Sequence, residues 1–246
     1  MKHPDFSSIS KEYAQSRPRY PAELFSYLAS QVRQRSLVWD CATGNGQAAL
    51  ELVKHFDGVI ATDVSVEQIH QATQHPRIEY YVAKSEQSGL DDRSVDMIAV
   101  ASALHWFDID AFYKEARRVI RPGGLLAAWT YHVGYVESPF DRVFGRFYFE
   151  VLYPYFAPGA RLVDKRYETI TLPGEALDSG NWSISAAWNL DQMLTFVASW
   201  SGTQQYIKER GENPVALIAE ELEQLWGEPE RIHVIRWPLY ARISRL

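Results

Sequence analysis

One stretch constrains this chain more than any other: Leu37-Val38-Trp39-Asp40-Cys41-Ala42-Thr43-Gly44-Asn45-Gly46-Gln47. A short apolar run ends in an acidic residue, a turn of small residues follows, and a helical pattern runs from Ala48 to His55. This is a strand feeding a helix through a tight loop. Gly44 and Gly46 let the backbone take positive φ or approach a bound molecule closely, which a Cβ would hinder. In open parallel sheets, ligands bind beyond the carboxyl ends of the strands, where this loop belongs.

The neighbouring sequence repeats the alternation. Leu37 to Asp40 reads as the first strand and Gln47 to Phe56 as a helix. Gly58 to Asp63 is the second strand, and Val66 to Thr73 is a helix with Ser65 as its N-cap. Ile78 to Ala83 and Val95 to Ala101 are the third and fourth strands, Asp110 to Ile120 a helix, and Leu125 to Thr130 the fifth strand. Such β-α-β order predicts a parallel sheet covered on both faces, with right-handed crossovers. Ahead of it, Pro21 suits a helix start, with Leu24, Leu28 and Val32 as the buried stripe.

The loop admits two nucleoside cofactors. Gly44-x-Gly46-x-x-Ala49 satisfies the loose dinucleotide fingerprint, with Asp63 roughly 20 residues on. Asp40 separates the two. A dinucleotide sets an anionic pyrophosphate against this turn, where a carboxylate repels it. S-adenosylmethionine (SAM) has no phosphate and carries an ammonium and a sulfonium. Asp40 suits the cation, so SAM is the expected cofactor, with NAD the outside option.

Three further points fall at strand ends. Asp63 can accept from both hydroxyls of a ribose; otherwise it is a cap or surface acid. Lys84-Ser85-Glu86 can read an adenine edge, or is a solvated loop. Ala101-Ser102-Ala103 is small enough to admit a ligand, with Ser102 a cofactor-contact candidate. His105, Trp106 and Phe107 stand behind it, as a pocket floor or as a packed helix start.

Composition narrows the partners. A formal net charge of -6 argues against nucleic acid, whose binders carry a basic footprint. The single cysteine, Cys41, excludes an internal disulfide and reads as a small buried filler in a reducing compartment. No apolar run is long enough to span a bilayer and no signal peptide is visible, so a cytoplasmic protein without a membrane partner is expected. No histidine has metal-ligand spacing; His70 and His75 fall on a surface helix and loop, so no metal is expected.

Together, Asp40-x-Ala42-x-Gly44-x-Gly46, Asp63, Ser85-Glu86 and Arg117-Arg118-Val-Ile-Arg-Pro122-Gly123-Gly124 resemble the ordered motifs of class I SAM-dependent methyltransferases. Tyr13-Ala14-x-x-Arg17-Pro18-x-Tyr20-Pro21, Gly46-Gln47-Ala48-Ala49, Leu104-His105-Trp106-Phe107, Ser199-Trp200-Ser201 and Trp237-Pro238-Leu239 resemble the small-molecule group that includes the trans-aconitate methyltransferases. Where the family usually has its first loop glycine, this chain has Ala42, which holds the turn if its φ is negative. The resemblance implies a Rossmann-like α/β fold, a seven-stranded, mostly parallel sheet whose last strand is antiparallel. It implies that Asp40 and the Ala42, Gly44 and Gly46 backbone hold the methionine end of SAM. Asp63 takes the ribose, Val64 flanks the adenine, Ser85 and Glu86 read its edge, and Tyr13 and Arg17 cover the cofactor or reach its carboxylate.

The second half carries many aromatic residues between His132 and Pro158. Phe140, Phe144, Phe147 and Tyr148 have helical spacing, the buried face of one helix. Glu168 to Leu172 reads as a strand, Leu190 to Trp200 and Val215 to Trp226 as helices, and Ile232 to Ile243 as a final strand broken by Pro238. The expected organisation is a single catalytic domain. Residues 1–35 form an arm and helix over the cofactor site, 36–131 the SAM-binding core, 132–230 a helical lid and substrate region with one core strand, and 231–246 the final strand.

The expected activity is methyl transfer to a small organic acceptor, at a carboxylate or hydroxyl oxygen. His105 is the candidate base for a hydroxyl or amine. For a carboxylate it is a positioning donor, with Arg142, Arg146 or Arg161 pairing the anion. A protein methyltransferase and a non-catalytic SAM-binding module are the alternatives.

Overall fold

The computed structural model describes residues 18–132 and 140–246. The chain divides into two compact units. The larger comprises 20–131, 162–182 and 239–246. It opens with helix α1 (Ala22–Ser30), strand β1 (Leu37–Cys41), α2 (Gln47–Leu52), β2 (Gly58–Asp63), α3 (Val66–Gln71) and β3 (Ile78–Val82). Strand β4 (Val95–Ala101), helix α4 (Ile109–Val119) and β5 (Ile120–Tyr131) follow. The short β6 (Glu175–Ala176) and the C-terminal part of β8 (His233–Arg245) complete the sheet.

The sheet order is β3-β2-β1-β4-β5-β8-β6, with one further strand, β7 (Trp182–Trp188), pairing with β8. β1 to β5 pair in parallel, and β8 runs antiparallel to β5 from Leu125↔Arg245 to Tyr131↔Leu239. This is the expected Rossmann-like sheet, with one more strand than the resemblance implies. β1 and β4 are buried almost throughout, as strands covered on both faces must be. Trp39, Ile98, Val100, Phe112, Ala116, Leu126 and Ala128 form one core cluster. Pro238 lies one residue beyond the last partner of β5, Leu239, where its missing N–H costs that ladder nothing.

Two buried carboxylates lock the frame. Asp96 Oδ2 accepts from Ser36 N at 2.8 Å and Leu37 N at 2.9 Å, tying the start of β1 to β4, and Arg121 pairs with its other oxygen. Glu115 accepts from Ser88 N at 2.8 Å and pairs with Arg118, which holds its carboxyl near 2, well below the ordinary range. Such charge-assisted bonds explain why the Arg-rich end of α4 is where it is.

The expected strand from Glu168 to Leu172 does not form: Glu168 and Thr169 end a turn, and residues 170–172 are irregular. Just ahead of it, Arg166 and Tyr167 take positive φ, 55° and 56°, within that turn. Ile170 and Leu172 are apolar because they join the core cluster, not because they pair.

The smaller unit comprises, among the described residues, 18–19, 132, 140–161 and 183–238. Helix α5 (Asp141–Arg146) continues into a π-helical turn (Phe147–Leu152) and a 3₁₀ turn (Tyr153–Tyr155). Phe140, Phe144, Phe147 and Tyr148 are buried, as their spacing predicts. Phe140 stacks on Trp226 at 4.8 Å, and Trp188 packs on Trp237 at 5.2 Å. The short α6 (Ala160–Asp164) leads from this unit back to the larger one. α7 (Leu190–Ala198) opens on a capping box of Asn189 and Gln192. It stops two residues before the expected end, and α8 (Ser201–Arg210) follows from Trp200 before α9 (Ala216–Trp226). The polar α8 has too weak an apolar stripe to be legible in sequence. No helix among the described residues is long and apolar enough to cross a membrane.

Candidate active site

The site forms where β1, β2 and β4 end. Ala42, Gly44 and Gly46 all take positive φ, 57°, 58° and 88°. The condition set from sequence, a negative φ at Ala42, is not met; the residue holds the turn left-handed and pays that cost, about 1–2 kcal/mol. The loop is tied across to β2: Thr43 N donates to Thr62 O at 2.8 Å, and Gly44 N donates to Asp63 Oδ2 at 2.8 Å. Gly46 faces Tyr80 of β3, whose hydroxyl stands where a Cβ would be.

Asp40 is fully buried in β1. Its Oδ2 accepts from Thr43 Oγ1, while Oδ1 has no hydrogen-bond partner among the described residues. Burial pushes its carboxyl up to about 7; the Thr43 hydroxyl and the nearby Ala49 N–H pull the other way. A buried acceptor atom left unpaired costs about 1–3 kcal/mol, and a cation brought to it would recover that cost. The ammonium of SAM is such a cation, so the residues present fit this cofactor.

Asp63 ends β2. Its Oδ1 accepts from Ser65 N at 2.9 Å, and burial raises its pKa against these backbone bonds. Each carboxylate oxygen keeps a second lone pair, so both can also meet a ribose. Val64 is 54% exposed, so its side chain is open to a ligand. Ser85 and Glu86 are half-buried in the loop after β3, but Glu86 Oε1 accepts from Asp108 N at 3.1 Å, bracing the start of α4. Tyr13 and Arg17 lie outside the described residues.

After β4, Ser102 takes a φ of 53°. Its N–H donates to Trp129 O at 2.7 Å, and its hydroxyl lies 3.0 Å from that of Tyr20. His105 sits in a 3₁₀ turn (Leu104–Trp106), its ring 4.5 Å from that of Trp106 and its Nδ1 2.8 Å from the Tyr167 hydroxyl. In the smaller unit, Arg142 and Arg161 are exposed and Arg146 pairs with Glu221.

Cys41 is buried, and burial with nearby carboxylates pushes its thiol well up, so it is no nucleophile. No group of metal-ligating side chains occurs among the described residues. Sequence reasoning missed Thr43, Tyr80 and Tyr167. Thr43 lay inside the quoted loop. Tyr80 and Tyr167 reach the site only through folding, and no local pattern marks them.

A parallel sheet of order β3-β2-β1-β4-β5, an antiparallel β8 beside β5, and an acid-bearing glycine loop define a class I SAM-dependent methyltransferase. The methyltransferase-domain family model matches residues 39–128. A Dictyostelium discoideum protein described as a methyltransferase is 32% identical over 98% of this chain and 94% of its own. A solved structure from Anaeromyxobacter dehalogenans, described as a type II methyltransferase, is 39% identical. It covers 93% of this chain and 97% of its own with a TM-score of 0.85. A Mycobacterium tuberculosis methyltransferase is 34% identical over about half of each chain. The chain belongs to the methyltransferase family.

Proposed function

We propose that this protein transfers the methyl group of SAM to a small organic acceptor, at a carboxylate or hydroxyl oxygen. The observation that carries the cofactor assignment is the buried Oδ1 of Asp40 beside the glycine loop, which has no hydrogen-bond partner among the described residues. The small acceptor is supported by the net charge of -6, which disfavours nucleic acid, and by the resemblance to the trans-aconitate group. The lone cysteine suits a reducing, cytoplasmic setting.

Bound SAM supplies an electrophilic methyl on a sulfonium, displaced in line by the acceptor. The chain's own work is to bind, align and exclude water. Asp40 meets the ammonium and the Ala42 to Gly46 backbone lines the methionine end. Asp63 accepts from the ribose, Val64 covers the adenine face, and Ser85, Glu86 and Ser102 complete the contacts, with Tyr13 and Arg17 as covering residues. His105 is the acceptor-side catalytic residue, taking a proton from a hydroxyl or donating to a carboxylate. The 132–230 stretch is assigned to acceptor recognition, with Arg142, Arg146 and Arg161 as candidate anion partners.

Calorimetric titration with S-adenosylhomocysteine, with NAD in parallel, tests the cofactor. Binding of the first alone supports the reading and leads to a screen of small carboxylic acids and alcohols. Binding of NAD alone, or of neither, sinks it.

A further inference from the structure

His105 and Tyr167 are 62 residues apart, yet Nδ1 of the first lies 2.8 Å from the hydroxyl of the second. The backbone that delivers Tyr167 is strained: Arg166 and Tyr167 are consecutive L-residues at φ of 55° and 56°. Glycine or asparagine would hold such a turn at less cost. The surrounding structure fixes it instead. Arg166 N donates to Val163 O at 2.7 Å, Tyr167 N to Leu162 O at 3.0 Å, and Arg242 Nε to Tyr167 O at 3.0 Å. The Arg166 guanidinium sits 5.4 Å from the centre of the Tyr240 ring. Tyr167 itself is wholly buried in the core cluster. Strain kept in place by many contacts, at a residue whose polar tip meets a candidate functional side chain, is the pattern of a pre-organised site.

The groups around the phenol oxygen decide where its hydrogen goes. The Tyr167 hydroxyl is wholly buried, and its hydrogen bond runs to Nδ1 of His105. A buried O–H left without an acceptor is costly, and Nδ1 of His105 is an acceptor at hydrogen-bond distance, so the phenol hydrogen points there.

We propose that Tyr167 is a positioning residue for His105: its hydroxyl donates to Nδ1, fixes the ring plane, and holds the imidazole hydrogen on Nε2. In that tautomer His105 offers a hydrogen bond from Nε2 and takes no proton there, which selects, of the two roles given to His105 above, donation to a carboxylate acceptor. The role rests on the assignment of His105 to the acceptor side; the tautomer does not.

Long-range proton–nitrogen NMR on the full chain without ligand reads the tautomer, with the His105 signals assigned by their loss in His105→Gln. The expected result is a bare Nδ1 and a protonated Nε2, turning to a mixture in Tyr167→Phe. A native Nδ1 that carries hydrogen overturns the proposal, as does an unchanged tautomer in a folded Tyr167→Phe. The native measurement needs no variant, so it remains decisive if Tyr167→Phe fails to fold. It also uses neither SAM nor acceptor, so the methyl-transfer reading fails or stands by its own titration. In a turnover assay, Tyr167→Phe should lower kcat roughly 10- to 100-fold with S-adenosylhomocysteine affinity unchanged; equal kcat overturns the positioning role.

Discussion

The carboxylate of Asp63 holds the N–H of Gly44 at 2.8 Å. The acid that ends β2 thus fixes the loop that follows β1, besides presenting its remaining lone pairs to a ligand. Two strands that pair in parallel, with Asp40 opposite Ala61 and Cys41 opposite Thr62, bring these residues together.

Asp63→Ala should therefore fail twice. Loss of a charged acceptor leaves the Gly44 and Ser65 amides unpaired and should cost about 1.5–3 kcal/mol of stability. Binding of S-adenosylhomocysteine should weaken at least tenfold as well. Asp63→Asn keeps one acceptor oxygen and should fall between. Thermal unfolding and calorimetry on the same samples check this; unchanged affinity in Asp63→Ala would remove the ribose assignment.

Asp40 makes a pH prediction. Its folded pKa of about 7 lies above an unfolded value near 4, so the folded chain binds more protons between the two. Stability is then greatest below about pH 4 for this group and is lost as pH rises through 7. The ligand-free protein should melt lower at pH 8 than at pH 5, by roughly 2–4 °C per kcal/mol. Asp40→Asn should flatten that slope. A bound ammonium favours the ionised carboxylate, so S-adenosylhomocysteine should bind more tightly at pH 8 than at pH 5 and release a proton near neutrality. Calorimetry in buffers of different ionisation enthalpy measures that proton; none released would separate Asp40 from the ligand.

Gly46→Ala should abolish S-adenosylhomocysteine binding and destabilise the fold. Its new methyl would meet the Tyr80 hydroxyl, and its φ of 88° disfavours any side chain. Removing that hydroxyl in Gly46→Ala/Tyr80→Phe should restore part of the stability. The recovery stays partial because the Tyr80 ring atoms still lie 3.1 and 3.2 Å from the new Cβ. A double-mutant cycle with no coupling would place the cost in the backbone alone.

Ala42→Gly should stabilise the protein. Glycine escapes the left-handed penalty at φ 57° but adds unfolded-chain entropy, leaving a gain of about 0.5 kcal/mol. Ala42→Val should destabilise, because β-branched residues rarely enter that region. A melting temperature that falls in Ala42→Gly would mean the alanine methyl packs to more effect than its backbone costs.

The frame was legible because its signals are local. Gly58–Asp63 and Val95–Ala101 match their expected strands end for end, and Ser65 caps α3 through Gln68 N. Each depends on periodicity and capping within a few residues. Where a residue is apolar for a distant reason, local reading fails. Ile170 and Leu172 look like strand residues, yet they are buried from an irregular segment, and the polar α8 forms although no strong apolar stripe announces it.

The candidate site divides in the same way. Sequence alone determined the acidic strand end, the glycines of the loop, Asp63 and the β-α-β order that collects them at one edge, because residue type and spacing encode backbone freedom and strand direction. Tertiary structure alone decided that Ala42 is left-handed, that Asp40 keeps an oxygen unpaired among the described residues, that Tyr80 covers Gly46, and that Tyr167 reaches His105. Those facts are set by burial and by contacts between segments far apart in the chain, and no local pattern of residues carries them.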